Sequence, residues 1–343
     1  MPSFPFIFLF STSIILSTLI AISSSQWIIL WLALELNLFS FLPIISISNI
    51  NQETEARIKY FLVQAVGSGI LLTFIFFQPY FYNYNIIYLS RIFILLRIFL
   101  KLGLAPLHFW FPPIISSLNW ILALILSTWQ KIIPFIILLF SNITKSLFIL
   151  IIISALRTII GGWGGLNQTQ LRPLLAYSSI GHLGWIIAAL SISISISIIY
   201  FFFYIIIISS IILYFWKYRI NNTRFFLNWN YNIFIPLILI LSLLSLRGLP
   251  PFIGFIPKWI VIISLPIKYF LILLMLILGS LLNLFYYINI INNIFFSYFN
   301  YSILNLIFTP LTRTILIFTL TTVFSIFLIP IPFFLLYAMI IFN

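Results

Sequence analysis

No cysteine occurs among the 343 residues of this chain, and there are only three acidic side chains and two histidines. The missing thiols remove disulfides, thiolate metal sites and cysteine-held iron–sulfur clusters together. His108 and His182 are all that remain for haem or a metal, so no metal or redox centre is expected here. Charge of either sign is scarce: 6% of residues are charged and 64% are hydrophobic. A soluble domain needs a polar shell that this composition does not supply. The 16 basic residues give a net charge of +13, but they form no run of the kind that grips nucleic acid. Their excess points instead to orientation in a membrane. The amino terminus, M-P-S-F-P-F, has neither the basic start of a secretory signal nor the arginines of a transit peptide, so its first apolar segment is expected to be retained.

What is abundant is long apolar sequence. Crossing about 30 Å of hydrocarbon takes roughly 20 residues of helix, and stretches of that kind follow one another along the chain. A membrane barrel would alternate polar and apolar residues over about ten positions, which is not the dominant pattern. The fold class is therefore an all-α polytopic membrane protein. The reading gives eleven spans, beginning with 6–23, 27–45 and 57–77. A fourth ends at Leu104, and others cover 119–140, 145–160, 171–190 and 193–214. The last of these opens with alternating Ser and Ile, yet its length favours helix over strand. Segments 234–246 and 253–265, each about 20 Å long, are too short to cross alone and join as one broken span. Spans at 269–291 and 313–341 complete the count.

Against this background a few charges stand out. Arg97 and Lys101 lie in an apolar run that breaks at Gly103, Pro106, Pro112 and Pro113. Lysine near a bilayer centre costs roughly 2.5 to 3.5 kcal/mol on insertion scales. A broken helix beside it is tolerated only where protein or water surrounds the freed backbone, as along an ion path. Lys131 repeats the coincidence: Pro134 removes the donor that would serve the carbonyl of Gln130. Lys258 lies in the second half of the broken 234–265 span, and Glu35 is the one acid inside a span. Glu53 and Glu55 are expected in a first helical turn, where they favour the dipole. Burial disfavours a charged lysine and a nearby carboxylate favours it. Moving that carboxylate from about 4 to about 8 Å at an effective dielectric of about 20 changes the interaction by roughly 2 kcal/mol, so modest motion loads and unloads a proton. Arginine does not give up its proton, which makes Arg97 and Arg157 structural.

His182 and Ser178 are four apart on one face of the 171–190 span, with Tyr177 beside them and Gly181 and Gly184 for close packing. His182 is a possible relay, while His108, among aromatic residues after the break, reads as interfacial or a path end. G-G-W-G-G at 161–165 reads as a loop or tight packing turn, and it lacks the strand and lysine of a phosphate cradle. G-L-A-P at 103–106 and G-L-P-P at 248–251 interrupt the fourth spans of two five-span groups. An odd number of spans per group makes the second inverted relative to the first. That divides the chain into a first five-helix repeat (1–140), a second, inverted one (141–291), and an interfacial connector with a long C-terminal helix (292–343). Arg57, Lys59, Arg172, Lys217, Arg219, Arg224 and Arg313 fall on the side of the amino terminus, against Lys145, Lys268 and Arg91. By the positive-inside tendency that side is cytoplasm or matrix.

The stretches L-K-L-G-L-A-P-L-H-F-W-F-P, T-W-Q-K-I-I-P, G-G-W-G-G-L-N-Q-T-Q-L-R-P-L-L-A-Y-S-S-I-G-H-L-G-W and L-S-L-R-G-L-P-P-F-I-G-F-I-P-K-W resemble the subunit 2 family of mitochondrial NADH dehydrogenase, respiratory complex I. W-I-I-L-W-L-A-L-E-L-N-L-F-S-F-L-P is similar to the glutamate-bearing helix of that family. The resemblance covers nearly the whole chain, and eleven spans resemble the animal form. It implies an antiporter-like, proton-translocating subunit of NADH:ubiquinone reductase in the mitochondrial inner membrane, with its amino terminus in the matrix. Other membrane-arm subunits would flank it on both sides among the lipids, and NAD, FMN, iron–sulfur clusters and ubiquinone would bind elsewhere in the complex. It also implies that Glu35 pairs with Lys101, that Lys131 is the central relay and that Lys258 lies on the exit side. Pro173 replaces a lysine usual after L-R, and Arg247 a small residue usual before G-L-P-P. A stand-alone cation/proton antiporter is the alternative, and a structural scaffold would leave the buried charges without use. Nothing in the sequence binds a nucleotide to supply the roughly 2.3 kcal/mol that one charge needs against 100 mV, so a partner or a second gradient must.

Overall fold

A computed structural model of the chain describes residues 4–46, 51–77, 95–140, 147–222, 234–250, 252–266 and 269–302. These are helical throughout apart from connections and one isolated bridge between Gln170 and Asn222. Seven described helices are long and apolar enough to cross a membrane. The outward faces are apolar too, with Phe8, Phe76, Phe109 and Trp163 all at least 66% exposed. Such a surface suits hydrocarbon, where helices keep every backbone hydrogen bond internal. The chain divides into two compact units, Met1–Ser146 and Leu147–Asn343. The expected span at 313–341 and the start of the fourth span lie outside the described residues.

In the first unit, α1 (Phe4–Ser23) packs on α2 (Trp27–Ile45), and α2 on α3 (Asn51–Phe77). α3 starts six residues before the expected Arg57, because N-Q-E-T-E carries Glu53 into its first turn and Glu55 pairs with Lys59 at 2.5 Å. α4, residues 95–102, ends at the first break. Pro112 and Pro113 begin α5 (Phe111–Ser117) instead of stopping a helix. At the first helical positions an absent N–H costs nothing and the fixed φ suits the turn. The fifth expected span is in three pieces: α6 (Trp120–Ser127), a 3₁₀ turn (Trp129–Lys131) and α7 (Ile132–Phe140). The defect lies just before Pro134, where the missing donor releases the carbonyl of Gln130.

The second unit is built around α9 (Leu171–Leu190), which is buried along nearly its whole length. α8 (Leu147–Leu166) packs closely on it, and α13 (Phe270–Ser302) packs on both. G-G-W-G-G is not a loop: α8 runs through it to Leu166. Gly161 lies against the Gly181 backbone and Gly164 against the Tyr177 ring, both on α9. Gly162 and Gly165 meet Leu282 and Tyr286 of α13, and Trp163 points outward. The two glycine pairs thus let two helices approach α8 at once, which outweighs their poor helix propensity. α10 (Ile194–Tyr218) is helical despite its Ser/Ile alternation, and ends at Arg219 in a left-handed conformation, φ 52°. α11 (Phe234–Arg247) and α12 (Phe255–Ser264) are the two halves of the broken span.

Candidate functional site: lysines at two helix breaks

α4 closes on a glycine. Gly103 takes φ +63°, its N–H donates to the Leu100 carbonyl at 3.2 Å, and the Leu104 N–H donates to Phe99 at 2.9 Å. This pair of bonds is the Schellman ending that a left-handed residue permits. Trp110 Nε1 donates to the same Leu100 carbonyl at 3.1 Å. The break is therefore capped without using Lys101, which is buried with its amine left for other work. Gly67 of α3 lets the Lys101 stem pass closely.

Lys101 and Lys131 line one narrow cavity of about 390 Å³, counting its open mouth, with Asn37, Tyr60, Gln64 and Gln130. Lys131 is 2% exposed, and its ammonium lies 4.6 Å from the centre of the Phe111 ring. A cation over an aromatic face gains a further attraction when desolvated. The Tyr60 hydroxyl donates to Gln130 Oε1 at 3.1 Å, and Gln130 Nε2 donates to Asn37 Oδ1 at 3.0 Å. Sequence reasoning passed over these three side chains. Asn, Gln and Tyr are common, and their partners lie 70 and 93 residues away.

Glu35, half-buried on α2, lies in electrostatic reach of both Arg97 and Lys101 without closing a direct ion pair with either. Its Oε1 is buried and unpartnered. Arg97, one turn before Lys101, is 1% exposed, and none of its guanidinium nitrogens has a hydrogen-bond partner. His108 donates from Nδ1 to the Pro106 carbonyl at 3.3 Å and makes a tilted ring contact with Phe109, outside the cavity lining.

The second unit breaks differently. Gly248 takes φ +70° and lies against the Gly254 carbonyl. Lys258, on α12, donates from Nζ to the Arg247 carbonyl at 2.5 Å and sits 5.8 Å from the Trp185 ring centre. Here the lysine itself caps the broken helix, where the dipole favours a cation. Arg247 fits as more than a small residue would: it donates to the Asn283 carbonyl at 2.6 Å and lies 4.4 Å from the Tyr287 ring centre. His182 lines a cavity of about 250 Å³ beside this break, with Tyr200, Leu246, Gly254 and Pro257, and its Nδ1 is 3.3 Å from the Tyr200 hydroxyl. Ser178 does not join it, because its hydroxyl donates to the Leu175 carbonyl of its own helix at 2.8 Å. Tyr177 packs on Gly164. Arg157 is buried in α8.

Residues 24–285 match the family described as NADH:quinone oxidoreductase/Mrp antiporter, transmembrane. The chain belongs to this family. Within it, the chain is 42% identical over 297 residues to NADH-ubiquinone oxidoreductase chain 2 of Lumbricus terrestris, a match spanning 82% of this chain and 84% of that one. It is 40% identical over 297 residues to the chain 2 protein of Anopheles gambiae, covering 84% and 85%. Its fold is shared with a chain of respiratory complex I from Thermus thermophilus, at a TM-score of 0.76 and 21% identity, covering 94% of this chain and 77% of that one. A chain of the archaeal membrane-bound sulfane sulfur reductase shares it too, at 0.78 and 16% identity, covering 95% and 73%.

Proposed function

We propose that this chain is a membrane-arm subunit of NADH:ubiquinone oxidoreductase and that it carries protons across the membrane while other subunits move the electrons. The observation that carries this reading is a pair of buried lysines, Lys101 and Lys131, on one polar cavity beside a helix break, with Glu35 in electrostatic reach. A proton held on Lys101 is stabilised when the Glu35 carboxylate approaches and released when it withdraws, and Lys131 receives it. Lys258 does the same work at the second break, with His182 beside it. NAD, FMN, iron–sulfur clusters and ubiquinone belong to other subunits in this scheme. We place the chain in the mitochondrial inner membrane as eleven spans in two inverted five-helix repeats and a C-terminal helix, amino terminus in the matrix. Further membrane-arm subunits stand on both flanks.

The test is a double-mutant cycle on Glu35→Gln and Lys101→Met in the assembled complex, reading proton transport and complex yield together. Each single change is expected to abolish most transport. The double variant is expected to recover part of the lost yield, because fewer unpaired charges remain, without recovering transport. Wild-type transport by the Glu35→Gln form, or purely additive effects on yield, would sink the pairing. Gentle extraction that released the chain as a small, separate particle would favour the stand-alone antiporter.

A further inference from the structure

Lys101 and Lys131 face one cavity, but a proton passes only if something between them holds its path in line. Neither Asn37 nor Gln130 takes up or loses a proton near neutral pH, so the polar groups between the lysines are not all further relay stations. They do have fixed directions. Tyr60 donates into Gln130 Oε1, and Gln130 donates from Nε2 into Asn37 Oδ1. This row joins three elements. Asn37 is on α2, two residues after Glu35. Tyr60 is on α3, its ring 5.3 Å from Phe41 and 6.0 Å from Trp110 between centres. Gln130 immediately precedes Lys131 in the 3₁₀ turn. Trp110 in turn holds the carbonyl beside Lys101. Asn37, Gln64 and Gln130 line the cavity with both lysines, and it has room for at least one water.

We infer that Tyr60, Gln130 and Asn37 form a neutral hydrogen-bonded clamp that holds water in line between Lys101 and Lys131 and fixes the turn bearing Lys131. This rests on the proton-carrying function proposed above and names the part of the site that sets transfer between its first two lysines. The step is balanced. An N–H bond breaks at the Lys101 ammonium and its proton joins the water, while another proton leaves that water for the neutral, unprotonated amine of Lys131. Lys101 ends neutral and Lys131 charged, and the water is restored. The three clamp residues keep their protons throughout. They are positioning residues. Their polarity serves transfer, whereas a purely structural bridge would need only to hold the helices together.

The experiment uses the whole complex reconstituted in vesicles, comparing Gln130→Met, Asn37→Leu, Tyr60→Phe and a Lys131→Met control. Protons moved per NADH oxidised, their dependence on heavy water, and complex yield are read in parallel. Gln130→Met and Asn37→Leu are expected to lower protons per NADH by at least about twofold, since misplacing a donor slows transfer steeply. The deuterium isotope effect on pumping should rise above that of the wild type. Tyr60→Phe, which keeps shape and loses one donor, should act in the same direction and more weakly. It keeps the test decisive if the other two fail to assemble. Lower yield with unchanged protons per NADH and isotope effect would reduce the clamp to a structural bridge and overturn the inference. Wild-type pumping by Lys131→Met would instead overturn the underlying function, so the two failures are told apart.

Discussion

The two helix breaks share their punctuation and differ in what their lysines do. G-L-A-P and G-L-P-P each put a glycine at positive φ, Gly103 at +63° and Gly248 at +70°. At the first, backbone N–H groups and the Trp110 indole satisfy the Leu100 and Phe99 carbonyls, so the Lys101 amine takes no part in this cap and lines the cavity. At the second, the Lys258 amine binds the Arg247 carbonyl directly. One broken helix thus holds its lysine apart from the freed backbone, and the other makes its lysine the cap. A proton on Lys258 also strengthens the cap, because a charged donor makes the stronger hydrogen bond. On the proposed function, a proton's arrival would be coupled to backbone geometry at the second break and separable from it at the first.

The largest test of this contrast removes the glycines. Gly248→Ala would bring a Cβ to 2.6 Å from the Gly254 carbonyl oxygen, a backbone atom, at a φ that alanine avoids. A loss of about 2 to 4 kcal/mol is expected, read as lower yield and melting temperature of the complex. Gly103→Ala meets only side-chain atoms of Phe111 and Trp110, at 3.0 Å and beyond, and should cost less, about 1 to 3 kcal/mol. Equal losses would mean the breaks are packed alike.

A second test exchanges the lysines for methionine. Lys258→Met leaves the Arg247 carbonyl without its donor and should destabilise by about 1 to 3 kcal/mol, while Lys101→Met leaves the Trp110 cap in place and should change stability less. Thermal unfolding of the two variant complexes compares them. A larger loss for Lys101→Met would reverse the assignment of roles. The smallest effect is expected from Trp110→Phe, which removes one neutral hydrogen bond worth about 1 kcal/mol. Faster amide exchange at Gly103 and Leu104 is the sign to look for, and unchanged exchange would show that the backbone bonds alone hold the break.

Much of the candidate site was legible, as buried lysines at helix breaks, because charge in an apolar chain is rare. Lys101, Lys131 and Lys258 could be named from sequence, since each sits near a proline or glycine that interrupts a span. The loop reading of G-G-W-G-G was wrong while its tight packing was right, because glycine stays a poor helix former and close helix packing outweighs that cost. Pro112 and Pro113 were misplaced by a few residues of context: the rule that proline breaks helices holds for interiors and fails at a first turn. Arg247 looked like an intrusion on a small site, yet Asn283 and the Tyr287 ring receive it.

By itself the sequence determined that the protein is helical and membrane-embedded, and that its few buried lysines are the residues to watch. Those follow from local facts: twenty apolar residues suffice to span, and every backbone group in lipid must bond within its own helix. Only the tertiary structure decided which carbonyls each break exposes, which lysine answers one, and that Tyr60, Gln130 and Asn37 meet in the cavity that Lys101 and Lys131 also line. Hydrogen bonds between side chains depend on how helices far apart in sequence turn and pack, and no spacing along the chain records that.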